Sequence, residues 1–195
     1  MKRLPIVLAA VLLALTAGCG GSDKSDKPAV HHYDKALHDE LIGMFTRDQQ
    51  QRTGGKATDE SDQDRTDRLK QIIAKYGWPT FGLVGKDGED AAWTIAQHSD
   101  LDKPFQAKAL KLLRRAVADK QASPGNLAYL EDRVAAGNGK PQLYGTQMGC
   151  AEDGPRLATP IKDKGQVEQR RRKAGLEPLA DYVAEMKKVC AEDSP

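Results

Sequence analysis

Polar residues fall at several helix positions where the sequence predicts a buried apolar face. Asp48 and Arg52 continue the apolar stripe of the first predicted helix. His98 continues the stripe of the third predicted helix, and Gln106 lies on that of the fourth. Burying such a group without a partner costs several kcal/mol. If these groups face inward, they must therefore meet one another, water or a ligand.

Natural partners for this polar set occur later in the chain, at Arg133, Tyr144 and Gln147. A closed structural network would satisfy all of these groups, and a pocket that binds a small polar ligand would satisfy them equally well. The sequence leaves both interpretations open. In the second, the predicted ligand-binding residues are Arg52, Gln106, Arg133, Tyr144 and Gln147.

His98 is the residue best suited to acid–base chemistry if the pocket is catalytic. Asp48 or Asp100 would orient its ring, and Arg52 or Arg133 would hold an anion. This makes His98, Asp48 and Asp100 the candidate catalytic residues of a hydrolase-type enzyme. Whether the protein is an enzyme stays open.

Two other roles for this histidine are disfavoured. Ser99 is an unsuitable nucleophile for His98, because adjacent residues on a helix or turn rarely face each other. A metal ion held by His98, Asp100 and Asp48 is disfavoured because hard cations prefer more carboxylates than these. We predict neither a metal nor a cofactor.

The N-terminus predicts export and lipidation. Lys2 and Arg3 precede a short apolar run at residues 4–15, which is too short to span a bilayer. Residues 16–19, Thr-Ala-Gly-Cys, resemble a bacterial lipobox, which implies cleavage before Cys19 and acylation of that cysteine; an ordinary signal peptide is the alternative. We predict a signal peptide at residues 1–18, the lipidated cysteine and a flexible tether at 19–32, and a protein held on a cell membrane outside the cytoplasm.

Two cysteines remain after Cys19, and in an exported protein an even pair predicts a disulfide. A bond between Cys150 and Cys190 would stabilise the fold by roughly 4 kcal/mol on the chain-entropy model. The alternative, Cys150 as a nucleophile with His98 as its base, requires a free thiol.

Charge and motifs exclude several functions. The chain has 30 Lys and Arg against 28 Asp and Glu, and loss of Lys2 and Arg3 with the signal peptide leaves 28 of each. The basic run at residues 170–173 is predicted to be a solvated helix face, so we expect no nucleic-acid partner. No Gly-x-Ser-x-Gly elbow, His-Glu-x-x-His motif or phosphate-binding glycine loop occurs.

The rest of the chain, residues 33–195, predicts one mainly α-helical domain with about six or seven helices and one small β-hairpin. Helices are predicted at residues 33–52, 59–76 and 89–98, after the caps Asp102, Ser123 and Asp163, and from Pro178 onwards. Residues 80–86, which contain two glycines, are predicted to be a loop. The hairpin is predicted to pair residues 142–148 with 157–161.

Several short motifs together resemble an uncharacterised bacterial domain family of unknown function. They are Tyr76-Gly77-Trp78-Pro79, Gln97-His98-Ser99-Asp100, Asp132-Arg133, Tyr144-Gly145-Thr146-Gln147 and Pro160-Ile161-Lys162-Asp163. The resemblance implies a shared fold and a shared site at His98, Asp100, Arg133, Tyr144 and Gln147. It implies no activity.

The sequence thus predicts a lipid-anchored envelope protein with a polar site that binds a small ligand or an envelope protein. A hydrolase that uses His98 is the first alternative. A structural or interaction protein with a closed buried network is the second.

Overall fold

A computed structural model describes residues 32–54 and 59–192. The predicted signal peptide, the predicted lipidation site Cys19 and all but the last residue of the predicted tether lie outside these ranges. The first five helices are α1 (Lys35–Arg52), α2 (Asp62–Tyr76), α3 (Phe81–Gln97), α4 (Lys103–Ala118) and α5 (Pro124–Gly137). They are followed by strands β1 (Met148–Ala151) and β2 (Gly154–Leu157), a 3-10 turn (Lys164–Gln166), α6 (Val167–Lys173) and α7 (Leu179–Glu192). The predicted fold class, mainly α-helical with one small antiparallel hairpin, is confirmed.

Side-chain caps define where four of these helices begin. Asp34, Ser61, Asp102 and Ser123 each accept a hydrogen bond from a backbone N–H in the first turn of the helix that follows. The caps predicted at Asp102 and Ser123 are confirmed. No helix in the described ranges is both long enough and apolar enough to cross a bilayer.

The loop predicted at residues 80–86 is wrong, because α3 already begins at Phe81. Leu83 and Val84 are buried in the core, so packing holds this turn in a helix despite its glycines. Gly85 then interrupts the helix with a φ of 76°, a left-handed angle that glycine adopts without strain. The break redirects the remainder of α3, which ends beside His98.

One continuous apolar core lies between the first five helices. Helix α3 is at its centre and packs against α1, α2, α4 and α5. Each helix contributes a fully buried aliphatic side chain, and these are Leu41, Leu69, Val84, Leu113 and Leu130. We call α1–α5 the helical core.

The hairpin exists, but its strands are displaced from the predicted segments towards the turn. Met148 pairs with Leu157 and Ala151 with Gly154, so only the inner ends of the predicted segments belong to strands. Their outer ends meet in a single parallel bridge, between Gln142 and Ile161. Residues 142–147 instead form an irregular loop, because the Gln142 side chain accepts from the backbone N–H of Gln147 at 2.7 Å and donates to nearby carbonyls. In an extended strand, Gln142 and Gln147 would be too far apart to form this hydrogen bond.

The N-terminus of α6 also differs from the prediction. Asp163 has a left-handed φ of 46° and caps nothing with its side chain, so the expected capping box with Gln166 is wrong. The end of α6 is as predicted. Gly175 has a φ of 73°, and the N–H of Leu176 bonds the carbonyl of Arg171, which is a Schellman stop.

Part of the basic run in α6 points inward. Arg171 is fully buried, with Nη1 donating to the carbonyl of Tyr144 at 2.8 Å and Nε to that of Glu177 at 2.6 Å. Nε of Arg170 donates to the carbonyl of Leu143 at 2.6 Å. The prediction of a solvated face is therefore wrong for these two arginines, which bind the 142–147 loop to α6.

The predicted disulfide between Cys150 and Cys190 is present, with Cα atoms 5.3 Å apart and a sequence separation of 40. It joins β1 to the end of α7. Because the thiol of Cys150 is consumed in this bond, its alternative role as a nucleophile is wrong. We call residues 138–192, which contain this bond, the C-terminal region.

Candidate functional site

A histidine–aspartate pair forms where α1 packs against the end of α3. His98 is the C-terminal cap of α3, and Asp48 lies one turn before the end of α1. Nδ1 of His98 is 2.9 Å from Oδ2 and 3.0 Å from Oδ1 of Asp48. Asp48 is fully buried, whereas 20% of the His98 side chain is exposed. The structure thus brings together two of the predicted catalytic candidates.

The position of the ring hydrogen follows from the neighbours of Nδ1. Nε of Arg52 is 3.0 Å from the same nitrogen, but it also lies 3.3 Å from both Asp48 oxygens. An ionised carboxylate can only accept, so the short contact with Asp48 places the hydrogen on Nδ1. Arg52 then donates to Asp48, and the lone pair of neutral His98 is on Nε2.

Asp48 is held in its charged form. Burial raises the pKa of its carboxyl, but the hydrogen bonds from His98 and Arg52 lower it by more, to about 2. Gln49 also donates to it, at 2.8 Å. The carboxylate is therefore an ionised acceptor that orients the imidazole throughout the neutral range.

A second layer of charges supports this pair. Arg65 is almost fully buried, with Nε 3.7 Å from Oδ1 of Asp48 and Nη2 donating to Asp62 at 2.6 Å. Asp62 also accepts from Nη2 of Arg52 at 2.9 Å. Arg65 was not predicted, although extending the apolar stripe of α2 one turn backwards from Leu69 reaches it.

Two nitrogens of this cluster remain available. Within the described ranges, nothing hydrogen-bonds to Nε2 of His98 or to Nη1 of Arg52. His38 provides the contrast, because its Nδ1 contacts Asp39 and its Nε2 contacts Asp87, each at 3.0 Å. The ring of His38 is closed by protein at both ends, and that of His98 at one end only.

Asp100 and Arg133 form a neighbouring pair, two residues beyond His98. Arg133 binds Asp100 through both Nε and Nη2, and its Nη1 donates to Oε1 of Gln147 at 3.1 Å. Burial raises the pKa of the Asp100 carboxyl, but the hydrogen bonds from Arg133 and Gln106 have the larger, opposite effect. The pKa of this carboxyl therefore lies below its usual range. All three donor nitrogens of Arg133 are engaged by protein groups.

Gln106 has a structural role in this arrangement. Its Nε2 lies within hydrogen-bonding distance of Asp100, at 3.1 Å, and of the carbonyls of Ala96 and Gln97, at 3.3 and 3.1 Å. These are carbonyls of the last turn of α3, which have no partner within the helix. Gln106 thus caps α3 and supports the turn that carries His98.

Tyr144 does not join the His98 cluster. Its hydroxyl donates to Glu131 at 3.2 Å, and its backbone N–H bonds Asp132. Asp132, which is fully buried, also accepts from the N–H of Leu143 at 2.6 Å and from the N–H of Thr146 at 2.9 Å. Asp132 organises the 142–147 loop, and only its place in a motif indicated its importance.

Glu89 is a second buried acid that was not predicted as a site residue. It accepts from Nε1 of Trp78 at 3.1 Å and from Nδ2 of Asn126 at 3.0 Å. Burial raises the pKa of its carboxyl to about 7, although the hydrogen bonds from Trp78 and Asn126 oppose this. Glu89 links α3 to the start of α5, away from His98.

Ser99, the neighbour of His98 in the chain, is not free to react. Ser99 is buried, with Oγ 2.8 Å from Oγ1 of Thr66 and from the carbonyl of Ile95, so it is not presented as a nucleophile. In the part of the chain that the structure describes, no group of three or more His, Cys, Asp or Glu side chains is placed to hold a metal ion.

A cavity of about 240 Å³ lies between α1 and α2, away from the predicted site. Its walls carry the charged residues Asp34, Glu40, Arg68 and Lys75. No predicted site residue lines it. The His98 cluster therefore lies outside this cavity, with His98 partly exposed at the surface.

Together, the fold and the site define a mainly α-helical domain with an Asp–His pair at its surface. The chain belongs to DUF6624, a family of unknown function, which matches residues 36–191. The predicted resemblance to a domain family of unknown function is confirmed at this level. No curated protein and no solved structure matches the chain.

Proposed function

We propose that this protein is a cell-envelope lipoprotein, anchored through Cys19, whose domain binds a small anionic ligand at the surface formed by His98 and Arg52. The single observation that carries the binding site is the half-paired imidazole. Asp48 fixes Nδ1, while Nε2 has no partner among the described residues. A closed structural network would use both nitrogens, as it does at His38.

The chemistry of the two available nitrogens suggests the class of ligand. Nη1 of Arg52 donates and suits a carboxylate or phosphate oxygen. The lone pair on Nε2 of His98 accepts, and suits a hydroxyl. Because Arg52 contacts the ring of His98, one small molecule that carries an oxyanion and a hydroxyl can reach both groups.

Nuclear magnetic resonance of the imidazole nitrogens tests this proposal. Glycerol phosphate, which carries both groups, should shift the Nε2 resonance of His98 and leave His38 unchanged. Arg52→Gln should weaken the response about tenfold or more, because a charge-assisted hydrogen bond is lost. His38→Gln is the matched control. Equal shifts at both histidines, or a response that survives Arg52→Gln, would contradict the proposed site.

A hydrolase is the second candidate, because a carboxylate-oriented imidazole with an open Nε2 is the arrangement of a general base. With Ser99 buried and Cys150 in a disulfide, this base would activate water. We expect His98→Gln to lower turnover of p-nitrophenyl esters about 100-fold or more, with Asp48→Asn lowering it less. Turnover that is equal in His98→Gln and His38→Gln would exclude this role.

The lipid anchor is tested separately. Mass spectrometry of the protein from the membrane fraction should show an acylated N-terminal Cys19. Cys19→Ser should release the protein from that fraction. An unmodified Cys19 would refute the anchor and leave the ligand site untouched.

A further inference from the structure

The exposed side of α4 carries only positive charge. Between Lys103 and Ala118 the helix contains five basic residues and no acidic residue. All five are exposed, and on a helical projection they occupy a sector of about 140°, opposite the side that packs on the core. We call Lys103, Lys108, Lys111, Arg114 and Arg115 the basic face of α4.

Little of this charge is neutralised by the protein. Arg114 pairs with Glu131, Nε to Oε1, at 2.8 Å, and Lys103 donates to the carbonyl of Gly137. The other three basic residues form no ion pair with any residue in the described ranges. The acids at the two ends of the helix, Asp102 and Asp119, are its caps, and Asp102 is already paired with a lysine of α2. The middle of the face is uncompensated.

The chain enters the domain close to one end of this helix. The N–H of Asp34 bonds the carbonyl of Leu83 at 2.8 Å. Two residues earlier in α3, the N–H of Phe81 bonds the carbonyl of Gln121, just beyond α4, at 2.9 Å. The segment from Cys19 to Asp34, fully extended, reaches at most about 50 Å. A membrane anchor at Cys19 would keep the domain within this distance of the bilayer, so that α4 can reach its surface.

We propose that the basic face of α4 binds the anionic phospholipid surface of the membrane that carries the anchor. This proposal rests on the proposed lipid anchor, which places the domain at a membrane. Charge complementarity then identifies anionic phospholipid as the partner. Binding is peripheral, because the apolar side chains of α4, such as Phe105 and Leu113, are buried in the core and cannot insert. Each uncompensated Lys or Arg near such a surface strengthens binding about fivefold.

Vesicle sedimentation with the unacylated mature chain, carrying Cys19→Ser, tests the face without its anchor. The chain should bind vesicles that contain phosphatidylglycerol, should not bind pure phosphatidylcholine, and should be released by high salt. Replacing Lys108, Lys111 and Arg115 together with glutamine should weaken binding about 100-fold. The matched control replaces Lys173, Lys187 and Lys188, which are exposed on α6 and α7, with glutamine.

Three results would overturn the proposal. They are no binding to phosphatidylglycerol vesicles, an equal loss of binding in both triple variants, and binding to soluble polyphosphate that vesicles do not compete away. Circular dichroism of both triple variants checks that each is folded. Because Cys19 is not acylated here, failure of this experiment is distinct from failure of the anchor.

Discussion

The helical core and the C-terminal region are stabilised by different physical means. In the helical core, one cluster of apolar side chains from five helices excludes water. In the C-terminal region, the buried polar residues are Gln142, Thr146, Gln147 and Arg171, and the buried apolar ones are Ile161, Val167 and Cys190. The helical core also buries polar groups, such as Arg65 and Glu89, but apolar side chains predominate there. In the C-terminal region, hydrogen bonds and a disulfide replace much of that apolar burial.

This difference predicts where a single substitution will destabilise the protein most. An apolar cluster spreads its stabilisation over many weak contacts, so no single contact decides the structure. A buried polar group depends on particular partners, and removing one partner leaves the others desolvated and unpaired. The C-terminal region should thus be the more sensitive part of the molecule per residue.

Asp132 lies on α5, but it accepts hydrogen bonds from the C-terminal region, so its loss unpairs groups of that region. Asp132→Ala should have the largest effect, a loss of about 5 kcal/mol in the free energy of unfolding. It leaves three backbone N–H groups, of Leu143, Tyr144 and Thr146, without their acceptor. Urea denaturation measures the loss, with the exposed Asp181→Ala as the control. A loss below about 1 kcal/mol would contradict the claim that the C-terminal region depends on particular buried hydrogen bonds.

Replacing Cys150 and Cys190 together with serine should cost about 4 kcal/mol, since the bond closes a separation of 40 residues. The effect should be regional. Amide hydrogen exchange should rise in β1, β2 and α7, while amides of α2 and α3 keep their protection. Equal loss of protection in both regions would mean that they unfold as one unit.

Glu89→Gln tests a polar group of the helical core, which is buried among apolar side chains. The folded pKa of about 7 lies above the ordinary value of 4.5. The native state therefore holds a proton that the unfolded state releases, and stability falls as pH rises from 4.5 to 7, by about 3 kcal/mol. Unfolding measured across this range should lose that dependence in Glu89→Gln. A parallel pH profile in the variant would show that Glu89 is ionised in the folded protein at neutral pH.

Asp48→Asn should have the smallest effect, about 2 kcal/mol at neutral pH. The folded pKa of about 2 lies below the ordinary 3.8, so the ionised group stabilises the fold above pH 4. That contribution is lost as pH falls towards 2. The difference between wild type and variant should shrink over this interval, as measured by thermal unfolding. A variant at least as stable as wild type at neutral pH would show that Asp48 is kept at a cost to folding, which favours a functional role.

Local features of the fold were predictable because local interactions produce them. The caps at Asp102 and Ser123 act on residues within one turn, and the stop at Gly175 needs only one left-handed residue. The disulfide was predicted from the count of cysteines in a chain expected to be exported, without any geometry, and it is present. The same local rules failed at residues 80–86, where core packing overrides the glycines, and at Asp163, where no local signal fixed its left-handed backbone.

The candidate site was predictable only in part. Polar residues on apolar stripes correctly indicated that Asp48 and Gln106 are buried, and the same rule would have found Arg65. The rule was wrong for Arg52, which is exposed, and His98 is only half-buried. The residues expected to form one site nevertheless divide into a His98 cluster and an Asp100–Arg133 pair, while Tyr144 belongs to the Asp132 loop.

The sequence alone was enough to predict the fold class, several helix ends, the disulfide and the burial of some polar groups, because periodicity and capping act over a few residues. Tertiary structure decided which polar groups meet and which nitrogen stays open. Hydrogen bonds depend on distances of a few tenths of an ångström between residues that are far apart in the chain. His38 and His98 illustrate this. Both lie on or directly after a helix and contact carboxylates, and only the packed structure distinguishes the closed ring of His38 from the open ring of His98.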